Sequence, residues 1–494
     1  MQIDSSPWQV RAATAVFAVV LALVSTASSR GQQNNGTSLA DLEARLKDQE
    51  AQIGVLQDRL DELGEGGGEV SDDSSSIKRL PLVAESVPFD DSEDEPKNFE
   101  LQFYADYDKG FVLQPFDPSE HPFQLKTNAW IQFRHHGFAR DVETWTDNAG
   151  VVRPVRNRNA WDIERARLTF GGYALDKRLT YFLQLDGDTD GRHTVDFFDY
   201  WWAWKFGDHL RLQMGKRKVS ASRQWLLGAR RTRFVDRPMA NDFFRPDRTI
   251  GVWATGKVHE TLNYELMVGN GYRTSNIPNA GTDNRFTFAT TSYWDPLGDF
   301  GGQVVDYDYT CTPLVRLGHS FVYSPITDDR LGVPLAEANF LRLTDGTVLV
   351  QTGALAPGVT VSKYDVYFFG LDAAVKWQGY SFNAELFYRW IQDIRGDGAL
   401  PLNDLEQRGF YVEGGRFLIP QTLDVNLRYS QVSGLFGNRS EYAIGTNLYP
   451  LDTHKMKLSF DVVVLDGSPL NNTTSDILVG DDGVLFRTQF QAEF

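Results

Sequence analysis

The C-terminal segment of this chain alternates side-chain character over the length of a membrane-spanning strand. One face carries Phe486, Thr488, Phe490, Ala492 and Phe494, and the other carries Arg487, Gln489, Gln491 and Glu493. Successive side chains of a strand point to opposite faces, so one face can meet lipid while the other meets water. The pattern therefore predicts a strand of a transmembrane β-barrel.

The overall composition excludes two other classes of protein. With 494 residues and a mean hydropathy of −0.36, the chain is too polar for a helical membrane protein and too long for one small soluble domain. Its only long apolar run extends from Ala12 to Ser25, follows Arg11, and is too short to span a membrane as a helix. We interpret residues 1–29 as a secretory signal peptide. The single cysteine, Cys311, cannot form an intramolecular disulfide.

Two further segments precede the strands. A short α-helical coiled coil is predicted over residues 37–63, because apolar residues recur at alternating spacings of three and four. They are Leu39, Leu42, Leu46, Ile53, Leu56, Leu60 and Leu63, with Gln49 in the one polar slot. Residues 64–98 are predicted to be a flexible acidic linker. Residues 41–110 carry −13 of the net charge of −17, so the acidity is concentrated ahead of the strands.

The remainder, residues 99–494, is predicted to be an all-β, 16-stranded antiparallel transmembrane β-barrel. Its segments have about ten residues each, the length of a spanning strand. We place them near 125–139, 161–173, 179–188, 196–206, 210–218, 249–258, 262–271, 285–296, 312–324, 364–377, 380–392, 408–418, 422–433, 439–449, 455–466 and 484–494. In the fourth segment, Phe198, Tyr200, Trp202, Trp204 and Phe206 are expected to face lipid.

Short connections alternate with long polar ones along these segments. The short ones are 175–178, 207–209, 259–260, 378–379, 419–421 and 450–453. Short turns on one rim and long loops on the other are typical of bacterial outer-membrane barrels. An even number of strands then places both termini at the periplasmic rim, and the coiled coil in the periplasm.

The connection between the fifth and sixth strands differs sharply from the rest of the chain. Residues 216–248 contain ten basic residues and three acidic ones. We expect this segment to fold inward and narrow the lumen, because arginine binds anions through a planar fork that stays charged. The candidate constriction residues are Arg223, Arg230, Arg231, Arg233, Arg237, Arg245 and Arg248. The candidate pore-lining residues are Arg165, Arg167, Lys216, Arg217 and Lys218. Alternatively, some of these side chains pair with Asp236, Asp242 and Asp247, or face lipopolysaccharide phosphates outside.

Several stretches resemble landmarks of the phosphate-selective porin O/P family. They are Glu164–Leu168, Tyr181–Asp186, Leu210–Lys216, Phe243–Gly251, and Gly110–Gln114 followed by Phe123–Phe133. The resemblance implies a trimeric sixteen-stranded channel whose arginine ladder favours phosphate or polyphosphate. The first arginine of the family's usual Arg-Arg-Ala-Arg run is Glu164 here.

The sequence therefore predicts an outer-membrane porin, a passive channel for small anions such as phosphate. The expected partners are two further copies in a homotrimer, membrane lipid, lipopolysaccharide and the cell wall through the coiled coil, but no nucleic acid. We expect no catalytic residues and no cofactor. We also expect no metal site, since the adjacent His135 and His136 point to opposite faces. The residues from Asp186 onward resemble the start of a calcium-binding EF-hand loop, but the twelfth position of that loop is Phe197 and not the usual Glu.

Other readings of the same sequence stay open. A general or carbohydrate porin is one, because the lumen is also expected to present Asp199, Glu385, Asp424, Trp201 and Trp253. A barrel enzyme and a protein that mainly tethers the outer membrane to the cell wall are the others.

Overall fold

The structure is a computed structural model that describes residues 103–189, 195–274, 277–278, 281–327, 336–451 and 453–494. The predicted signal peptide (1–29), coiled coil (37–63) and linker (64–98) lie outside these residues. Nearly all of the described residues belong to, or connect, the strands of one sheet.

The strands close into a sixteen-stranded antiparallel barrel, which confirms the barrel part of the predicted fold class. Each predicted segment overlaps one observed strand. The strands are β1 (Phe103–Tyr107), β2 (Phe111–Pro115), β3 (Phe123–Arg140), β4 (Thr144–Thr146), β5 (Val152–Pro154), β6 (Arg158–Ala174), β7 (Asp176–Gly187), β8 (Val195–Lys205), β9 (Arg211–Lys218), β10 (Arg248–His259), β11 (Leu262–Gly269), β12 (Thr287–Trp294), β13 (Leu314–Thr327), β14 (Val361–Trp377), β15 (Tyr380–Gly396), β16 (Leu405–Ile419), β17 (Leu423–Gly434), β18 (Gly437–Leu448), β19 (Met456–Asp466) and β20 (Gly483–Glu493).

The barrel proper consists of β3 and β6–β20. Each strand pairs with the next, and β20 pairs with β3 to close the ring. The hairpin β1–β2 adds to β3 through β2, and β4–β5 form a separate small hairpin between β3 and β6. Closure leaves no unpaired barrel edge, which a lipid environment requires.

The outward-facing side chains of the barrel are apolar. The inward-facing ones include charged residues and also an apolar cluster that contains Phe368, Phe387 and Ile391. On β17, Leu427 is 61% exposed, whereas its neighbour Arg428 is 4% exposed and points inward. On β20 the predicted faces are confirmed, since Phe486 is exposed and Arg487 is buried. The prediction for Phe198 was wrong, because the pairing of β7 with β8 shifts register at this residue. Its ring instead lies 3.5 Å from the guanidinium carbon of Arg248.

Connections on one rim are short, as predicted. We call this the short-turn rim, and the opposite one the long-loop rim. In the β14–β15 turn, Gln378 and Gly379 both have positive φ, 47° and 80°. A two-residue hairpin of this type requires such angles at both positions and favours glycine.

One connection on the short-turn rim is long and was not predicted to be structured. Residues 295–313, here called the short-rim loop, join β12 to β13 and fold into the barrel. Phe300 and Val304 are almost completely buried. Lys376 on β14 donates from Nζ to the carbonyl oxygen of Phe300 at 2.9 Å. This loop therefore fills part of the lumen from the short-turn side.

The β9–β10 connection also lies inside the barrel, as the sequence predicted. We call residues 219–247 the inner loop. It contains the short helices α1 (Arg223–Leu226) and α2 (Met239–Phe244) and a 3₁₀ turn at Ala229–Arg231. Further 3₁₀ turns lie in long loops at Ala336–Phe340 and Thr473–Ser475. Within the described part of the chain, no helix is long and apolar enough to cross a membrane.

Candidate anion pathway

Carboxylates on strands β15 and β18 hold the inner loop in place. Glu385 on β15 accepts a hydrogen bond from the backbone nitrogen of Gln224 at 2.6 Å. Glu441 on β18 accepts one from the backbone nitrogen of Met239 at 2.5 Å. Buried carboxylates with such donors are satisfied by the protein itself. These acids therefore position the loop.

A buried ionic cluster joins the inner loop to β3 and β6. Asp236 contacts Arg134 at 2.9 Å and Arg165 at 3.0 Å. Glu164 lies within 3.2 Å of Arg134 and 3.4 Å of Arg165. Burial acts to raise the pKa of Asp236, but the nearby arginines outweigh it and hold the pKa well below the ordinary value. Glu164 occupies the first position of the Arg-Arg-Ala-Arg run, where an arginine is usual. Its carboxylate therefore neutralises part of the positive charge of the cluster.

Two further arginines of the inner loop are buried among polar partners. Arg233 donates to Asn426 Oδ1 and to Ser381 Oγ, each at 2.9 Å. Arg237 donates to the carbonyl oxygen of Leu227 at 2.9 Å, and burial lowers its pKa to about 10. Both side chains remain charged at neutral pH, but their N–H groups donate to atoms of the protein.

Trp225 on α1 is surrounded by cations. Lys218 Nζ lies 4.5 Å from the ring centroid, and the guanidinium carbons of Arg245 and Arg248 lie at 4.3 and 5.5 Å. Such contacts stabilise cations at an aromatic face. The carboxylate partners are Asp242 for Arg245 and Asp199 for Arg248, each at 2.8 Å.

The predicted pore-lining residues of the wall are also engaged. Arg167 pairs with Asp186 at 2.7 Å, and Arg217 pairs with Glu265 at 2.8 Å. Lys216 donates from Nζ to a backbone carbonyl of β8 at 2.9 Å. Each of these positive charges is therefore compensated or directed at the protein.

Several arginines on the lumen side lack such a carboxylate partner within the described residues. One of them, Arg389 on β15, is buried and donates to Gln407 Oε1 and to the carbonyl oxygen of Phe243, at 2.8 and 3.0 Å. Within the described residues, Arg211, Arg223 and Arg231 have no carboxylate oxygen within ion-pair distance. They donate instead to Thr180 Oγ1, Asn383 Oδ1 and the carbonyl oxygen of Gly302, at 3.0, 2.8 and 3.4 Å. Burial and the neighbouring Arg230 lower the pKa of Arg231. Arg230 itself pairs with Glu493 at 2.7 Å.

A second group of arginines lines a small pocket among the long loops. Arg245 of the inner loop, Arg273 of the β11–β12 loop and Arg342 of the β13–β14 loop border a cavity of about 40 Å³, together with Asp242, Asn471 and Asn472. Asp242 pairs with Arg245, and Asp247 pairs with Arg273 at 3.4 Å. Arg342 has no ion-pair partner among the described residues. Burial, with Arg273 and Arg153 adding, lowers its pKa to about 10. Like charges brought together in this way favour an anion between them.

The comparison of sequences decides the family. The sequence model described as "Phosphate-selective porin O and P" matches residues 136–494 of this chain. The chain belongs to this porin family. No curated protein sequence is significantly similar to it.

Solved structures of other proteins match this chain at low sequence identity. The anion-selective porin from Comamonas acidovorans is 10% identical, with 75% of this porin and 99% of that chain covered and a TM-score of 0.48. OmpF of Salmonella typhi in complex with daunomycin is 12% identical, with coverages of 79% and 100% and a TM-score of 0.48. OmpT of Vibrio cholerae in its trimer form is 10% identical, with coverages of 75% and 99% and a TM-score of 0.45. The assignment of this chain rests on the family match.

Membership places this porin in the bacterial outer membrane. Porins are channels, so the family also weighs against the enzyme reading. Long loops of outer-membrane barrels face the outside, which puts the arginine pocket at the extracellular mouth and the short-rim loop on the periplasmic side.

Sequence reasoning identified most of the arginines that border the proposed path, but not which of them have carboxylate partners. It missed Arg211, Arg273 and Arg342. Arg211 carried an available signal, since it shares the inward face of β9 with Gln213. No sequence signal indicated Arg273 and Arg342, because they lie in loops whose fold the sequence pattern does not specify.

Proposed function

We propose that this porin is a passive channel for small inorganic anions, with phosphate as the preferred ion. The observation that carries the proposal is the distribution of uncompensated charge. Most arginines inside the barrel are paired, so the positive charge that a permeating anion can reach is carried chiefly by the few arginines that are not. An excess of positive charge in a narrow lumen with low-dielectric walls attracts anions and excludes cations.

Two arginine groups define the proposed path. At the extracellular end the uncompensated arginine is Arg342, which would capture an anion from outside beside Arg245 and Arg273, whose charges are shared with Asp242 and Asp247. The inner group consists of Arg211, Arg223 and Arg231 near the inner and short-rim loops, and would pass it toward the periplasm. The other predicted constriction arginines, Arg230, Arg233, Arg237 and Arg248, have carboxylate partners and would hold the inner loop in place. Several weak sites in series allow both entry and release.

The carbohydrate-porin alternative receives less support. Sugar-binding channels need accessible aromatic faces, yet Trp253 is 0% exposed and Arg217 lies over its ring. Asp199 is bound to Arg248, and Asp424 accepts hydrogen bonds from Asn447. Glu385 is bonded to the inner loop. The side chains that suggested this alternative are thus occupied.

The direct test of phosphate preference is block of chloride current by phosphate in planar bilayers. Removing one charged partner of an anion typically weakens binding by about 10-fold or more. We expect Arg342→Ala to raise the phosphate concentration needed for half block by about that factor. The matched control is Arg395→Ala, at the same rim, because Arg395 is 67% exposed and has its own partner in Asp393. Equal block in the wild type and the Arg342 variant would remove the extracellular site from the proposal.

We also infer a homotrimer embedded in lipid and lipopolysaccharide, with the predicted coiled coil in the periplasm and in reach of the cell wall. The heptad pattern and the family resemblance support the trimer. Chemical crosslinking of the purified porin should yield a trimeric band, and its reduction on deletion of residues 37–63 would assign the coil a role in assembly. A monomer under native conditions would contradict the inference.

A further inference from the structure

Three potential metal ligands meet at the long-loop end of β3. They are His136 on β3, Asp162 on β6 and Asp476 in the loop between β19 and β20. His136 Nδ1 lies 3.2 Å from Asp162 Oδ2 and 2.9 Å from Asp476 Oδ1. The three ligand atoms all lie within 4.8 Å of one another. Three parts of the chain that are distant in sequence thus direct one imidazole nitrogen and two carboxylate oxygens at a common point.

The spacing matches the edges of a coordination polyhedron. Two ligand atoms that each bind one ion at about 2.1 Å, at angles between octahedral and tetrahedral, lie roughly 3.0 to 3.4 Å apart. Both measured distances from Nδ1 are close to this range. The two carboxylate oxygens lie within 4.8 Å of each other and would approach to the same range when the three groups share one cation.

A second observation is independent of this spacing. The side chain of Asp162 is 90% buried, yet its Oδ1 has no hydrogen-bond partner within the described residues. The only ion-pair partner of Asp162 in the described part of the chain is His136. Buried carboxylates are ordinarily paired, fully hydrogen-bonded or bound to a metal. Asp162 thus presents an unsatisfied oxygen at this cluster.

Arg134 orients the third ligand. Its Nη1 donates to Asp476 Oδ2 at 2.9 Å, and this leaves Oδ1 directed at His136. Partners of this kind fix the direction of ligating side chains and are a regular feature of metal sites. Arg134 also contacts Asp236, so the cluster connects to the inner loop.

We propose that His136, Asp162 and Asp476 bind a divalent transition-metal ion of the Zn²⁺ type at the extracellular end of the barrel. One nitrogen and two oxygens suit Zn²⁺ better than Ca²⁺ or Mg²⁺, which prefer sets made only of oxygen. Water can complete the coordination. The bound ion ties the last long loop to β3 and β6, beside the seam where β20 closes the barrel. Metal occupancy thereby fixes a loop that borders the extracellular mouth.

Calorimetric titration of the full-length porin in detergent with Zn²⁺, after treatment with a chelator, tests the proposal. We expect one saturable site per chain. His136→Ala and Asp162→Asn should each raise the dissociation constant at least about 10-fold, the scale seen when metal sites lose supporting groups. His135→Ala is the matched control, since His135 is adjacent but contacts Asn159 and Trp161 on the opposite face. Unchanged zinc affinity in the His136 variant, or no saturable binding by the wild type, would overturn the proposal.

X-ray absorption at the zinc edge of the loaded wild-type porin makes the test independent of how the variants fold. Imidazole scattering with nitrogen and oxygen ligands at about 2.0 to 2.1 Å is expected. A shell of oxygen alone would exclude His136 as a ligand and overturn the assignment.

Discussion

At the scale of single residues, the interior of this porin is organised by arginine–carboxylate pairs rather than by free charges. Asp236 is the clearest case, because one carboxylate contacts both Arg134 and Arg165. Removing one partner of a buried ion pair leaves an uncompensated charge in a poorly solvated place. The paired arginines thus stabilise the position of the inner loop, and only their unpaired counterparts are available to a permeating ion.

Replacement of Asp236 tests this distinction. We expect Asp236→Asn to lower the free energy of unfolding by about 3 kcal/mol or more, as is typical for a broken buried pair. The measurement is denaturant unfolding of the folded barrel in detergent, followed by tryptophan fluorescence. Asp208→Asn is the control, since Asp208 forms only an exposed pair with Lys205. A comparable loss of stability in both variants would contradict the account.

The Asp236→Asn substitution also predicts how the stability of the porin depends on pH. The pKa of Asp236 is lowered from 3.8, so its stabilising effect is present above the ordinary pKa and is lost as pH falls through the lower, folded-state pKa. The difference in stability between wild type and Asp236→Asn should therefore shrink as the solution becomes strongly acidic. A difference that grows with acidity would have the wrong sign.

At the scale of elements, the strands and the inward course of the inner loop were predictable, whereas the contacts of the loops were not. Alternation on β15 and β17 depends only on neighbouring residues, so their faces could be read from the sequence. No pattern in the sequence indicates the register shift that turns Phe198 inward. The pairing of Arg230 with Glu493 joins residues that are far apart in the chain, and no local pattern reports it. The short-rim loop was missed for the same reason.

The long loops contain a pair of acids that should respond to pH. Glu337 accepts a hydrogen bond from the backbone nitrogen of Asp283, and burial, with the Asp283 carboxylate adding, raises the pKa of Glu337 to about 7. Because the folded state holds this proton more tightly, the contact is most stable below the ordinary pKa of 4.5 and weakens as pH rises toward 7.

Hydrogen exchange of residues 281–285, corrected for the intrinsic effect of pH, measures this weakening. Protection should fall between about pH 5 and pH 8 in the wild type, because Glu337 ionises in that range. Glu337→Gln stays neutral and should keep protection nearly constant. Loss of protection to the same extent in the variant would show that Glu337 does not control the contact.

At the scale of the whole molecule, the account requires that the short-turn rim faces the periplasm. The single cysteine, Cys311, is exposed in the short-rim loop and provides a natural probe. A maleimide attached to a polymer too large for the pore should label Cys311 only after the outer membrane of cells has been permeabilised. Labelling of intact cells would place this rim outside and reverse the proposed path.

The central claim is that uncompensated arginines make this porin selective for anions. Reversal potential in a planar bilayer under a potassium chloride gradient tests it most directly. We expect the sign of an anion-selective channel, reduced in magnitude when Arg223, Arg231 and Arg342 are replaced together by alanine and unchanged in Arg395→Ala. A reversal potential of cation-selective sign, or one that the triple replacement leaves unaltered, would contradict the account.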